Sequence, residues 1–281
     1  MTSRERSARG PRIREHDGVM EIGSKVSMLG TSLPVFLYWV DGLLIDTGAY
    51  RMRREMLPFL RSQPLERVAL THTHEDHSGL APYLQREKGL VPTVPEESVK
   101  QVERRAKLPL YRRLFWGPRK AFRASAHPEV IRTRNFCFRV LQSPGHTREH
   151  VCFLEESKGW LFSGDLFVRS RPGLFFAQEY VADMIRTLQS LAQVNFEYLF
   201  CGHAGMVAEG RQALRQKLDY LLEMKEAVQH YRQLGYSPEQ TDRILFPHKP
   251  LMNRISMGEW SSLNMVHGLY KMTEDRGREE Q

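Results

Sequence analysis

The spacing of apolar residues along the chain changes period several times, and each change marks an element. Residues 35–40 and 43–45 are β-rich runs separated by Asp41-Gly42. Asp-Gly between two such runs tolerates the positive φ values of a tight turn, so the pattern predicts a hairpin. Residues 68–70 read as a short apolar strand running directly into Thr71-His72-Thr73-His74. Further strands are expected at 136–141, 151–154 and 160–162, with Lys158-Gly159 at a turn. Another is expected at 198–201, running into Gly202-His203. Apolar residues spaced three and four apart predict helices at about 51–61, 79–87, 97–107, 179–193 and 207–233. Ser237-Pro238-Glu239-Gln240 offers an N-cap, a Pro at the first helical position and a Gln at the third, which is a capping-box start. A last amphipathic helix is expected at about 256–273, followed by a polar tail.

Strands mixed with strand-to-helix turns thus fill the chain to about residue 205, and nearly everything after is helical. That predicts an α/β domain over 16–206 and a C-terminal helical extension over 207–281. Leu214, Leu218, Leu221, Leu222, Met265, Leu269 and Met272 form the apolar side of that extension, packed on the core or used in a homodimer. Residues 1–15 read as a frayed basic tail. No run of about 18 apolar residues occurs, so no bilayer-spanning helix is expected. The first residues are charged where a secretory signal would be apolar. Cys137, Cys152 and Cys201 are odd in number, contain no C-x-x-C pair and lie among apolar neighbours. They are read as buried free thiols in a reducing, cytoplasmic setting. The net charge of +8 raises the question of an acidic partner, although a solvated basic surface is the favoured account of it.

The chemistry concentrates in Thr71-His72-Thr73-His74-Glu75-Asp76-His77-Ser78-Gly79. His72 and His74 are two apart at a strand end, where alternation sends both side chains to one side. Asp76 and His77 follow as the chain turns into a helix. Three imidazoles and a carboxylate within six residues form an N/O donor set without thiolate. Zinc suits it first, with iron and manganese as alternatives.

At this point the chain resembles the metallo-β-lactamase superfamily, whose H-x-H-x-D-H signature is present in full from His72 to His77. Pro144-Gly145-His146-Thr147, Ser163-Gly164-Asp165, Gly202-His203 and the upstream Asp46-Thr47-Gly48 look like its other motifs, in the family's order. The resemblance implies a four-layer αββα sandwich. It also implies that His72, His74 and His146 bind one metal, that Asp76, His77 and His203 bind a second, and that Asp165 bridges the two. Asp46 is then a support behind the ligands. Two divalent ions about 3.5–4 Å apart lower the pKa of a shared water to roughly 7, giving a hydroxide for attack on a carbonyl or phosphoryl group. Asp76 and Asp165 are the candidate catalytic carboxylates. Five imidazoles and two carboxylates around two dications leave net positive charge, which favours an anionic transition state.

The resemblance narrows the substrate in part. Only 38 positions separate Asp165 from His203, too few for the large insertion of the nucleic-acid-processing branch. Leu166-Phe167-Val168 stands where lactonases of the superfamily usually carry a tyrosine. The reading is therefore a dinuclear metal-dependent hydrolase of the glyoxalase-II-like branch, acting on a small ester or thioester. A metal-dependent phosphodiesterase or ribonuclease is the alternative, because residues 96–123 interleave cations with Leu110, Tyr111, Leu114, Phe115, Trp116 and Phe122. That segment is expected either as an amphipathic helix pair packed on the sandwich or as a lid. In the lid reading Arg112, Arg113, Trp116 and Arg119 meet an anionic substrate.

Overall fold

In the computed structural model of the chain, residues 10–28 and 30–279 are described, and they fall into two compact units that divide at Cys137/Phe138. In the first unit β1 (Arg12–His16), β2 (Val19–Met28), β3 (Thr31–Val40) and β4 (Leu43–Ile45) form an antiparallel meander. Two of its turns are Asp-Gly pairs with positive φ at both residues, Asp17-Gly18 (49° and 88°) and Asp41-Gly42 (47° and 83°). That is the geometry whose twist matches the flanking strands. β4 then pairs in parallel with β5 (Arg67–Ala69), and β6 (Thr93–Val94) and β7 (Ser125–Ala126) continue the parallel half. The expected hairpin at 35–45 is present. The tail expected over 1–15 needs correcting: Arg12–His16 are strand, and residues 1–9 lie outside the described residues. β1 is exposed at four of its five positions. A charged edge strand of this kind carries no apolar alternation to reveal it.

The helices of this unit are α1 (Arg53–Ser62), α2 (Glu75–Ser78), α3 (Ala81–Lys88), α4 (Val99–Val102) and α5 (Leu110–Phe115), and β8 (Val130–Arg132) closes it. The helix expected at 97–107 shrinks to the four residues of α4, preceded by a single 3₁₀ turn at Glu96–Ser98. Arg104, Arg105 and Lys107 repel one another on a helix surface, and Pro109 disfavours helical backbone at Leu108. Residues 96–123 are thus short helical turns rather than an amphipathic helix pair.

The second unit contains β9 (Cys137–Gln142), β10 (Val151–Glu155), β11 (Trp160–Gly164), β12 (Phe175–Phe176), α6 (Val181–Leu191), β13 (Tyr198–Cys201) and β14 (Gly205–Val207). Helices α7 (Gly210–Gln233), α8 (Pro238–Leu245) and α9 (Leu251–Ile255), strand β15 (Trp260–Ser261) and helix α10 (Ser262–Glu279) complete it. The order in its main sheet is β14-β13-β11-β10-β9. β10 and β11 are buried at every position, which is why they read as continuous apolar runs. Phe162 and Phe200, paired across β11 and β13, stack with ring centroids 4.7 Å apart. Leu214, Leu218 and Leu221 of α7 and Met265 and Leu269 of α10 join Leu188, Leu199 and Cys201 in one core cluster. Each fully buried side chain of this size contributes about 1.5–3 kcal/mol.

The capping box at Ser237 and Gln240 opens α8 as expected. The last helix begins at Ser262 rather than about 256, because Met257 and Gly258 turn the chain with φ of 52° and 84°, and Trp260–Ser261 pair with β12. It continues to Glu279, through what the sequence suggests is a polar tail. Cys152 and Cys201 are buried free thiols, but Cys137 is exposed. Alternation along β9 gives the inward position to Phe138, and Cys137 faces out. Among the described residues no helix is long and apolar enough to cross a membrane.

Candidate metal centre

In the first unit the ligand-type residues stand at the carboxyl ends of the parallel strands β4 and β5. Register places Ile45 beside Ala69, so Asp46 and Leu70-Thr71 leave the sheet together. Asp46 has a φ of 59°, a left-handed conformation that Asp tolerates better than most residues. Its Oδ1 accepts from Thr71 N at 2.8 Å and its Oδ2 accepts from Thr71 Oγ1 at 2.9 Å. Oδ2 also meets Nδ1 of His77 at 2.8 Å. Thr47 donates to the His77 carbonyl through both its amide and its hydroxyl. The Asp-Thr-Gly motif is therefore a bracket that fixes the His77 ring with Nδ1 occupied. A carboxylate behind an imidazole is the usual way to set a ligand's tautomer and aim its other nitrogen.

Ser78 Oγ donates to the carbonyls of Thr73 and His74, closing the turn between His74 and His77. A Cβ on Gly79 would lie 2.5 Å from the Glu75 carbonyl oxygen and 2.8 Å from that of Gly48, so only glycine fits there. His72 Nε2 and His74 Nδ1 approach to 3.1 Å, and the His72 and His77 rings are 4.2 Å apart between centroids. The ligand atoms of Asp76 and His77 lie within 4.8 Å of each other.

Behind Leu70, the His127 ring links Thr93 Oγ1 (Nδ1, 2.9 Å) to the Leu70 carbonyl (Nε2, 3.0 Å). Donation to that carbonyl requires a proton on Nε2, and the neutral ring then accepts at Nδ1. Burial pushes its pKa down to about 4. A histidine depressed in the folded state contributes stability that is complete above its unfolded pKa of about 6.5. That contribution is lost as pH falls from about 6.5 to about 4, since the unfolded chain binds the proton more readily there. The loss is at most about 3 kcal/mol. His127→Gln should flatten the acid limb of stability between pH 6.5 and 4, measured by urea unfolding. An unchanged acid limb would remove His127 as its source.

The second unit holds the remaining ligand types. Asp165 follows β11, where Gly164 adopts a φ of 46°, and its Oδ2 lies 3.5 Å from His146 Nε2 and 3.2 Å from His203 Nε2. His146 is aimed by Glu179, whose Oε1 meets Nδ1 at 2.7 Å while Oε2 accepts from Phe176 N. Gly145 lets this turn press on α6, since a Cβ there would lie 2.7 Å from the Met184 Cα. His150 Nε2 accepts from the Asp165 amide at 3.3 Å and its Nδ1 bonds Ser143, so it holds the Asp165 backbone in place. The Cys201 sulfur accepts from the amides of His203 and Ala204, and burial raises its pKa.

Past Asp165, Val168 is held at a φ of 54°, a strained conformation for a β-branched residue. The buried ammonium of Lys217 donates to the carbonyls of Leu166 and Phe167 at 2.5 and 3.0 Å and holds that loop. Burial lowers the Lys217 pKa to about 8, against the opposing pull of Glu179, Cys201 and Asp165.

The donors suit a divalent metal. They are imidazole nitrogens and carboxylate oxygens, two of the rings have Nδ1 fixed by a carboxylate, and the nearby thiol is turned to backbone amides. Sequence reasoning identifies Asp46 as a support but misses Glu179, His150 and Lys217, which lie in no motif.

Residues 96–123 reach the ligand loop through a buried ion pair. Arg112 is 5% exposed and donates Nε and Nη2 to the two carboxylate oxygens of Glu75, at 2.6 and 2.7 Å. Burial raises the Glu75 carboxyl and opposes the Arg112 charge; the carboxylate facing the guanidinium outweighs burial and keeps Arg112 ionised. Arg119 is buried and donates to the Val102 carbonyl at 3.3 Å, and Trp116 is buried edge-on against Phe115. Of the four residues expected to meet substrate, Arg113 is the exposed one.

A sequence model described as the metallo-beta-lactamase superfamily matches residues 33–203. The chain is similar to a hydroxyacylglutathione hydrolase of Xanthomonas euvesicatoria, 34% identical over 153 residues, covering 52% of this chain and 50% of the relative. It is also similar to an atrochrysone carboxyl ACP thioesterase of Aspergillus fumigatus, 26% identical over 201 residues, covering 69% and 57%. The chain thus spans half to three-fifths of the length of these relatives. Among solved structures, a metallo-beta-lactamase family protein from Thermus thermophilus superposes with a TM-score of 0.68 at 19% identity, over 93% of this chain and 95% of the other. That likeness concerns the fold, and the expected mixed α/β fold is the one found. With well over half of its length matched, the chain belongs to the metallo-β-lactamase superfamily.

Proposed function

We propose that the chain is a dinuclear metal-dependent thioester hydrolase, with His72, His74 and His146 for one ion, Asp76, His77 and His203 for the other, and Asp165 shared. The observation that carries this reading is the set of supports behind the donors: Asp46 on His77, and Glu179 on His146. Surface histidines have no need of buried carboxylates aiming them, whereas metal ligands do. Two relatives named for thioester hydrolysis favour that bond over a phosphodiester. The structure also removes a support for the nucleic-acid alternative, since Phe115, Trp116 and Phe122 are buried and offer bases no stacking face.

Divalent ions at these residues would bring the pKa of a water to roughly 7 and polarise the carbonyl under attack. The chain's own groups do the rest. Asp165 fixes the spacing between His146 and His203. Asp76 takes up the proton released by the attacking water. Lys217 and His150 hold the backbone on either side of the Asp165 carboxylate. Two buried free thiols fit a reducing compartment such as the cytoplasm.

Two measurements test the reading. Elemental analysis should find about two metal ions per chain, mainly zinc; one or fewer after zinc reconstitution counts against a dinuclear site. A panel of a glutathione thioester, an acyl-carrier-protein thioester, a lactone and bis(p-nitrophenyl) phosphate should give the highest kcat/KM on a thioester. Preference for the phosphodiester would reverse the assignment.

A further inference from the structure

The helix α5 has two faces with different tasks. Arg112, Phe115 and Trp116, spaced three and four apart, turn inward, and Arg112 reaches Glu75 between His74 and Asp76. Leu110 and Leu114, also four apart, turn outward with 69% and 48% of their surfaces exposed, and Arg113 lies beside them. The chain leading into α5 exposes Arg104, Arg105 and Lys107, and the chain after it exposes Lys120 and Arg123. Between residues 100 and 123 the single acidic side chain is Glu103. Two exposed leucines on one helix stripe, with Arg113 on the same helix and exposed cations on the chain before and after it, combine apolar and basic surface in one segment.

We infer that this outer face of α5 docks an acidic carrier protein that delivers the thioester, seating an amphipathic helix whose apolar stripe covers Leu110 and Leu114 and whose carboxylates meet Arg104, Arg105 and Lys107. The inference rests on the thioester reading above and deepens it by naming how the substrate arrives. Complementary charge steers encounter and fixes register, and the apolar contact contributes the affinity. Position supports the occupant as well. A helix with its side chains is about 10–12 Å across, so a partner on the outer face of α5 sits one helix away from the loop that carries His72 to His77. A single-stranded nucleic acid would need exposed aromatic faces, and Phe115, Trp116 and Phe122 of this segment are buried.

The test uses the full chain loaded with zinc and a fluorescein-labelled acyl carrier protein, followed by anisotropy at low and high salt. Wild type should bind, and binding should weaken steeply as salt rises. The variant Arg104→Glu/Arg105→Glu/Lys107→Glu should weaken binding by at least about tenfold, and Leu110→Ser should weaken it independently. Circular dichroism should show both variants folded, as expected for exposed positions. In turnover, KM for the carrier-bound thioester should rise while kcat/KM for the same acyl group on free pantetheine is unaffected. Absence of wild-type binding, or equal loss on both substrates, overturns the docking surface. Charge-sensitive binding to phosphatidylserine vesicles with no carrier binding replaces it with a membrane contact. Because the binding arm needs no turnover, a chain that binds the carrier but hydrolyses no thioester would sink the proposed activity and leave the docking surface standing.

Discussion

Asp165→Ala is expected to lower thioester turnover by about three orders of magnitude, roughly 4 kcal/mol of transition-state stabilisation, while the protein still folds. Asp165 is 4% exposed, with a carboxylate oxygen within 3.5 Å of ring nitrogens from both His146 and His203. Without that negative charge two imidazoles face each other with nothing to share, and any cation bound there loses a ligand. The fold should survive because the packing around β11 comes from Phe162, Leu161 and Phe200, none of which depends on Asp165. Steady-state kinetics on the best thioester, circular dichroism and zinc content together check this. A variant that keeps near wild-type rates removes Asp165 from the shared position, and one that fails to fold makes it a structural residue.

Arg112→Ala should destabilise the protein by about 3–5 kcal/mol, the usual result of stranding one member of a buried ion pair. Glu75 is 1% exposed, and its two oxygens are held by the fork of Arg112. Removing the guanidinium leaves a buried carboxylate beside Asp76, so the ligand loop should suffer along with the fold. Replacing both partners by apolar residues of similar volume, Glu75→Leu with Arg112→Met, should recover most of the stability. Urea unfolding of chelator-treated protein separates this effect from metal binding. A loss under about 1 kcal/mol in the single variant would show that the pair is solvated and weak. The same geometry changes how the basic segment is read. The cation nearest the ligand loop neutralises a carboxylate of that loop, and contact with an outside anion falls to cations such as Arg113 that face solvent.

The family, the motif that gathers the candidate ligands and the main strands were legible in the sequence, each for a local physical reason. His72 to His77 lie within six residues, so their proximity follows from chain connectivity. The hairpin at Asp41-Gly42 and the capping box at Ser237 are short-range devices whose chemistry is complete within four residues. β10 and β11 announce themselves because burial on both faces demands unbroken apolar runs. What the sequence left open depends on long-range pairing. Glu179 stands 33 positions from His146, and Arg112 stands 37 from Glu75. Lys217 stands 51 from Leu166. A carboxylate, a guanidinium or an ammonium looks the same in a sequence whether it faces water or a buried partner. The spacing of cations and aromatics in 96–123 suggests a surface that could stack bases, yet the fold carried Phe115, Trp116, Phe122 and two of the arginines inward and left Leu110 and Leu114 outside. Sequence set which chemistry the chain carries, because ligand type and order are local. Tertiary packing alone decided which charges are neutralised and which face solvent, because burial belongs to the fold and not to the residue.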